Sequence, residues 1–415
     1  MRMLPDEVRL DLCPPTVTGV LLSPRATQAD LVAVMAEVYD ALRADGIPVE
    51  RGSWSVPMLH PALRSYQLIW RAGAPVRRLE RGWSDATAAM YARSPIRPLY
   101  EGTAHFIRHR ITPDDGQRPY EILDELAQEG FTDYLAMCAP APVGWERAPV
   151  TLSTRAPGGF TEAHLESLTH VLSLLTLVLR VHAQRGQTRA LLETYLGEDA
   201  ASRVLDGHIR RGDVVDIEAA VCFCDLRNFT VLSQELPQEE LLGLLDDAFG
   251  AVVGAVEAER GDVLKFIGDA VLAVFRAGDT EESRRDAAAR ATRAGRNALA
   301  RARETDARRR AQGKAPLSIG LSIHLGRVAY GNIGGPMRLD FTVIGAAVNL
   351  ASRLEGMCRT LGYPIVLSEA VASRVDGDAL GDATLEDAGT HPLKGIPEPV
   401  RVYGIRLPGD VPEGA

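Results

Sequence analysis

The stretch that decides the fold of the second half of this chain is Phe223-Cys224-Asp225-Leu226-Arg227-Asn228-Phe229-Thr230. The apolar residues before Asp225 predict a buried strand, and the segment from Asn228 to Thr230 predicts the start of the next helix. A carboxylate at the end of a buried strand is a candidate ligand for a hard divalent cation. The free N–H groups of a helix start are suited to phosphate oxygens.

Two later stretches carry complementary chemistry, and they read Lys265-Phe266-Ile267-Gly268-Asp269 and Asp340-Phe341-Thr342-Val343-Ile344-Gly345-Ala346-Ala347-Val348-Asn349-Leu350-Ala351-Ser352-Arg353. The first predicts a hairpin that turns at Gly268-Asp269. The second predicts a helix on which Asn349 and Arg353 share one face, because they lie four positions apart. Taken singly, each aspartate would be an ordinary turn or cap residue, and Arg353 would form a surface ion pair with Glu355 or a neighbouring acid. The linked set favours one functional site.

Together the three motifs resemble the class III nucleotidyl cyclases, which make cyclic AMP or cyclic GMP from a nucleoside triphosphate. The resemblance spans roughly Arg210 to Leu407. It implies an α+β catalytic domain with a ferredoxin-like core, in which an antiparallel-rich sheet packs against helices. It also implies two Mg²⁺ or Mn²⁺ ions per active site, bound at Asp225, Leu226 and Asp269, since oxygen ligands suit these cations.

The resemblance further assigns roles in substrate binding and catalysis. Asn349 is expected to orient the ribose, and Arg353 to stabilise the charged pentavalent phosphorus. Lys265 matches the purine-contacting lysine, and its partner position, seven residues before Asn349, is Thr342. A subgroup with Thr or Ser there makes cyclic AMP, so ATP is favoured over GTP. Contacts to the triphosphate are expected from Phe229, Thr230, Arg338 and Lys394, although the two cations would otherwise be solvated loop charges.

Assembly and regulation follow from the same resemblance. The family's active site lies between two catalytic domains, and this chain carries one such region, so a homodimer is implied. The Thr-type subgroup likeness implies a response to bicarbonate, which residue chemistry alone does not show. The alternatives are a guanylate cyclase and a nucleotide- or ligand-binding sensor with little turnover. A diguanylate cyclase relative is disfavoured because its Gly-Gly-Asp/Glu-Glu-Phe signature is absent.

Composition narrows the class of protein. Hydrophobic residues make up 46% and charged residues 24%, which is ordinary for a soluble globular protein, and the net charge of -9 argues against a nucleic-acid-coating protein. Five cysteines, with Cys222 and Cys224 alternating on a predicted strand, indicate packing in a reducing compartment. The most apolar run, Val171 to Leu179, is shorter than the ~20 residues of a membrane span. A cytoplasmic protein is predicted.

The N-terminal half is organised differently. Residues 1–26 are Pro-rich and predict a flexible arm, and residues 27–185 predict an α/β unit that resembles a GAF-type sensor domain. Its regulator is an unknown small molecule or ion. A long helix opens at Thr161, and its leucine stripe packs either on its own domain or against a partner helix. Residues 186–210 predict a helical transmitter, and residues 211–408 the catalytic domain.

Overall fold

The computed structural model describes residues 9–112, 118–138 and 147–409. The chain divides into two compact units, Met1–Thr194 and Tyr195–Ala415. The boundary between them falls inside the segment 186–210, where a helical transmitter is predicted. Gly197, with φ of +83°, separates the last helix of the first unit from the first helix of the second unit.

The first unit is a six-stranded sheet, and every strand pair in its described part is antiparallel. The strand order is β3-β2-β1-β6-β5-β4. The strands are β1 Arg51–Pro57, β2 Leu63–Arg71, β3 Ala74–Gly82, β4 Phe106–Arg110, β5 Asp133–Met137 and β6 Val150–Thr154. The helices are α1 Pro15–Leu22, α2 Pro24–Gln28, α3 Leu31–Ala44, α4 Asp85–Ala92, α5 Arg97–Glu101, α6 Glu121–Gln128 and α7 Glu162–Leu196, with a 3₁₀ helix at Leu10–Leu12.

The expected flexible arm is wrong for residues 15–26, while residues 1–8 lie outside the described residues. Helices α1 and α2 occupy this segment, and Val17 and Leu21 are buried in the core of the unit. The Asp45 carboxylate accepts hydrogen bonds from the backbone N–H groups of Thr16 and Val17, at the positive end of α1. Pro15 and Pro24 are first residues of helices, where proline is well tolerated.

The leucine stripe of α7 packs into the core of its own unit. Its members are all buried there: Leu165, Leu168, Leu172, Leu175 and Leu179. This packing favours the interpretation of α7 as a helix of its own domain. By length and composition α7 is also long and apolar enough to cross a membrane, but 56% of its most apolar window is buried inside the protein.

The second unit contains an eight-stranded sheet covered by helices on both faces. Its strands are β7 Val214–Leu226, β8 Asp262–Ile267, β9 Ala270–Ala277, β10 Ile319–Gly334, β11 Leu339–Ile344, β12 Ile365–Ser368, β13 Thr384–His391 and β14 Val400–Arg406. Its helices are α8 Glu198–Leu205, α9 Phe229–Glu235, α10 Gln238–Ala258, α11 Glu281–Ala311, α12 Ala346–Glu355, α13 Met357–Leu361, α14 Glu369–Ala372 and α15 Gly377–Leu380.

The centre of this unit has ferredoxin-like connectivity. Strand β7 is followed by α10, the β8–β9 hairpin, α11 and β10, and these strands lie in the order β10-β7-β9-β8. This is the β-α-β-β-α-β arrangement of a ferredoxin-like fold. The pairs among β10, β7, β9 and β8 are antiparallel, so the unit is α+β, as the family resemblance implies.

The central strand β7 sorts its side chains between two cores, because successive residues of a strand point to opposite faces. Cys222 and Cys224 are buried in the core that includes α10 and α11. Val221 and Phe223 are buried in the opposite core, which includes residues of α8 and α12. The packing role predicted for the two cysteines is therefore confirmed, and Asp225 belongs to the face of Val221 and Phe223.

Candidate active site

The end of β7 places Asp225 at the edge of the α12 face of the sheet. Its Oδ1 atom is buried and has no hydrogen-bond partner among the residues that the structure describes. On the neighbouring strand β9, Val271 pairs with Cys224. Because the two strands are antiparallel, the next residue of β7, Asp225, lies beside the start of β9 and the turn that precedes it. That turn contains Asp269.

Asp269 follows Gly268 in the tight connection between β8 and β9. Ile267 pairs directly with Ala270, and Gly268 adopts a left-handed conformation with φ of +65°, which glycine adopts without strain. The turn therefore holds the Asp269 carboxylate beside Asp225. Burial, a shared hydrogen bond with Asp269 and the charge of Asp269 together raise the pKa of Asp225 to about 7.

Sequence reasoning missed a third carboxylate and its counterion next to this pair. A Cβ atom on Gly320 would lie 3.1 Å from Oε1 of Glu355 and 3.5 Å from Nε of Arg227, so both side chains lie over Gly320. Gly320 pairs with Asp225 across the β10–β7 ladder. Burial and the charge of Asp269 raise the pKa of Glu355, and the nearby Arg227 opposes that rise.

The donor set at Asp225 and Asp269 fits a divalent cation bound together with a nucleotide. Two carboxylates whose mutual repulsion and burial oppose ionisation are stabilised in their charged form by a cation. No group of three or more His, Cys, Asp or Glu side chains in the described ranges forms a complete metal site. Mg²⁺ commonly takes only one or two protein carboxylates and completes its shell with phosphates and water. The carbonyl of Leu226 is the further protein ligand that the resemblance implies.

Lys265 contacts Asp340 of strand β11, whereas its predicted partner is Thr342. Lys265 Nζ lies 2.5 Å from Oδ2 of Asp340, and this ion pair lowers the pKa of Asp340. Thr342 lies two residues further along β11 and is only 9% exposed. Asp340 and Thr342 share one face of the strand, because Phe341 and Val343 are buried in the core on the other face. A pairing of Lys265 with Thr342 thus stays a prediction, whereas Asp340 is the residue that contacts the lysine.

Helix α12 presents Asn349 and Arg353 to solvent. Both side chains are exposed, while Ala347, Ala351 and Leu354 bury the opposite face of the helix. The alternative ion pair between Arg353 and Glu355 is not formed, and no described residue pairs with Arg353. The two polar residues are therefore available to a ligand or to another chain.

The remaining residues that are predicted to contact the substrate lie either at the start of helix α9 or in exposed loops. Helix α9 begins at Phe229, with Asn228 as its N-cap in the left-handed conformation, so the predicted helix start is confirmed. Thr230 is exposed in its first turn, and Phe229 packs partly against the core. Arg338 and Lys394 are exposed in loops, and within the described part of the chain neither forms an ion pair. Their roles at a triphosphate stay predictions.

Comparison with known proteins identifies the class of this domain. Residues 216–406 match the family described as the adenylate and guanylate cyclase catalytic domain. This segment of the chain is therefore a class III nucleotide cyclase catalytic domain, a family that uses divalent metal ions. The match leaves the first unit outside it, so the GAF-like assignment of that unit stays a prediction.

Among relatives, an adenylate cyclase of Anabaena cylindrica is 33% identical over 189 residues, covering 45% of this chain and 36% of the relative. Adenylate cyclase 1 of Rhizobium meliloti (strain 1021) is 31% identical over 157 residues, covering 38% of this chain and 23% of the relative. The chain thus spans about a third or less of these curated relatives. The solved adenylyl cyclase CyaB from P. aeruginosa is 30% identical, covers 48% of this chain and 98% of that one, and has a TM-score of 0.42.

Proposed function

We propose that the chain is an adenylate cyclase that converts ATP to 3′,5′-cyclic AMP and pyrophosphate. The observation that carries the proposal is the apposition of Asp225 and Asp269 at the end of the ferredoxin-like core, where burial and repulsion raise the pKa of Asp225 to about 7. In the reaction the ribose 3′-hydroxyl loses its proton and its oxygen bonds to the α-phosphorus. The bond between the α-phosphorus and the bridging oxygen breaks, and pyrophosphate leaves.

The carboxylates are proposed to hold two Mg²⁺ or Mn²⁺ ions per site, with Leu226 as a further ligand. Divalent cations in such a site neutralise phosphate charge and assist ionisation of the attacking hydroxyl. On the protein side, the tight turn at Gly268 positions Asp269, and the end of strand β7 positions Asp225. Arg227 lies close to Glu355, and its positive charge favours the ionised form of that carboxyl group.

Preference for ATP is supported by residues at the opposite end of the proposed site. Lys265 and Thr342 match the base-contacting pair of the Thr-type subgroup, and the two relatives named above carry the name adenylate cyclase. Asp340 holds the ammonium group of Lys265 on the same face of β11 as Thr342. Its carboxylate is an acceptor, and an acceptor suits the amino group of adenine. A response to bicarbonate stays a prediction of the subgroup likeness alone.

A homodimer is proposed because the family resemblance implies an active site between two catalytic domains, and because this chain exposes the surfaces that such a site would join. Asn349 and Arg353 are exposed on α12. Large apolar side chains are exposed on and beside β8 and β11, the strands that carry Lys265 and Asp340: Phe266 at 51%, Ile267 at 48%, Met337 at 96% and Ile344 at 49%. Exposed apolar groups that cluster in this way mark protein interfaces. In a symmetric dimer, the acidic pair of one protomer would face Asn349 and Arg353 of its partner.

The experiment is a product assay on the purified full chain with ATP or GTP, each with Mg²⁺ or Mn²⁺ and each with EDTA as the metal-free control. We expect cation-dependent formation of 3′,5′-cyclic AMP and pyrophosphate in equal amounts, identified by mass spectrometry. Cyclic GMP as the main product would replace the proposal with a guanylate cyclase. Nucleotide binding without either product would indicate a sensor and would contradict the proposal.

A further inference from the structure

The first unit contains a cavity on the face of its sheet that does not carry the main core. Trp54, Val56, Leu68 and Trp70 point to the main core, whereas the alternate residues of β1 and β2 point to the opposite face. A cavity of about 380 Å³ lies on that second face, between the sheet and helices α4 and α5. Its volume is in the ~300–1,000 Å³ range of small-molecule sites.

Three arginines are among the described residues that line this cavity. They are Arg64 on β2, Arg81 on β3 and Arg147. None of the described residues that line the cavity is acidic. Within residues 9–112, 118–138 and 147–409, no carboxylate forms an ion pair with any of the three. Clustered cations without counterions are unfavourable unless an anion joins them.

Arg147 is the most strongly constrained of the three. Its Nη1 atom is buried and has no hydrogen-bond partner within the described part of the chain. Its guanidinium group packs against Gly102, the left-handed C-cap of α5, where a Cβ atom would lie 2.5 Å from Nη2. The fold thus makes room for a guanidinium whose buried donor is unpaired. A buried donor of this kind points to a missing acceptor.

Aromatic side chains form the other wall of the cavity. The guanidinium carbon of Arg64 lies 4.6 Å from the ring centre of Tyr91 and 5.9 Å from that of Trp83. The Trp83 indole donates a hydrogen bond of 3.1 Å to the carbonyl of His60, yet the residue is 63% exposed. A stacked guanidinium keeps its N–H edge free for an anion. An indole that is held in place but exposed offers a flat surface to a ring.

We propose that this cavity is a ligand site for a small organic anion that carries a planar ring. Its carboxylate or phosphate would pair with the arginines, and its ring would lie against Trp83 and Tyr91. A cation is disfavoured because the described lining carries three positive charges and no negative one. A neutral apolar ligand would leave Nη1 of Arg147 unpaired. This site is separate from the catalytic domain, so the inference does not rest on the proposed function.

The test is isothermal titration calorimetry on the full chain with three planar acids, benzoate, 2-naphthoate and indole-3-acetate, each beside its neutral amide. Quenching of tryptophan fluorescence by the non-indole acids provides a second readout, because Trp83 is exposed whereas Trp54 and Trp70 are buried. Loss of the quenching in Trp83→Phe assigns it to Trp83 and not to Trp145, which lies outside the described residues. We expect at least one acid to bind about 10- to 100-fold more tightly than its amide, as for a hydrogen-bonded charge. Arg81→Gln and Arg64→Gln should each reduce that difference about tenfold or more.

The control variant is Arg77→Gln, which changes an exposed arginine of the same strand that does not line the cavity. It should bind the acid as the unchanged protein does. Thermal unfolding of each variant establishes that the first unit is folded. Equal binding of acid and amide, failure of all three acids to bind, or equal losses in Arg77→Gln and Arg81→Gln would overturn the proposal.

Discussion

Replacing Asp225 with asparagine is expected to stabilise the metal-free catalytic domain at pH 8, because the change removes one of two apposed carboxylates. The pKa of Asp225 is raised to about 7 from an ordinary value of 3.8, first by burial and then by Asp269. A carboxyl group with a raised pKa in the folded state opposes folding as it ionises. The protonated carboxyl group of Asp225 makes its full contribution to the free energy of unfolding below pH 3.8. This contribution is lost as the pH rises from 3.8 to about 7, and it is absent above pH 7.

The magnitude follows from the same two pKa values. Their difference corresponds to about 4 kcal/mol of unfolding free energy. Because Asp225 is only half-buried, solvent screening reduces the expected gain in the variant to about 1–2 kcal/mol. For a domain of this size, that gain raises Tm by about 2–8 °C.

The assay is differential scanning calorimetry in EDTA at pH 5 and pH 8, with Asp246→Asn on the exposed face of α10 as the matched control. The Tm difference between Asp225→Asn and the unchanged protein should be larger at pH 8 than at pH 5. Addition of Mn²⁺ at pH 8 should raise Tm for the unchanged protein and the control, but not for Asp225→Asn. A higher Tm for the unchanged protein than for Asp225→Asn at pH 8 without metal, or a Tm difference that does not depend on pH, would contradict this prediction.

Two predictions concern the substrate side of the proposed site. Arg353→Ala should lower kcat about 10²- to 10³-fold with little change in KM, because the charge of Arg353 acts on the transition state. The control is Arg359→Ala, which removes an exposed arginine of α13. A change confined to KM would contradict a role of Arg353 in the transition state. Asp340→Asn should raise KM for ATP about tenfold and narrow the ATP-over-GTP ratio, because a charge-assisted hydrogen bond to Lys265 is lost. With Asp216→Asn as the control, an unchanged ratio would show that Asp340 does not act through Lys265.

Elements with a long apolar pattern could be predicted from the sequence. The predicted strand before Asp225 corresponds to β7, the predicted hairpin to β8 and β9, and the predicted helix that carries Asn349 and Arg353 to α12. Strand β11 was not predicted, because its polar residues Asp340 and Thr342 obscure the pattern and its place depends on pairing with the distant β10. The first two helices were missed because Pro15 and Pro24 suggest breaks when they are in fact first helical residues.

In the candidate site too, features set by the spacing of nearby residues could be predicted, whereas contacts between segments far apart in the sequence could not. Spacing alone placed Asp269 at a hairpin turn and Asn349 beside Arg353 on one helix face, and the structure has both features. The contact between Lys265 and Asp340 could not be predicted, since it depends on how β8 and β11 approach each other. The same holds for Glu355, which reaches the acidic pair only because Gly320 leaves space beside Asp225.

Complementation between two variants with impaired active sites shows whether the acidic pair of one protomer works together with the α12 face of another. Asp269→Ala and Arg353→Ala are co-expressed with different tags, and the heterodimer is purified through both tags. Each variant alone should make cyclic AMP at least about 10²-fold more slowly than the unchanged protein. The heterodimer has one site with both changes and one with neither, so it should recover up to about half of the unchanged activity by the symmetry of the dimer. A verified heterodimer that is as inactive as its parents would contradict the shared site.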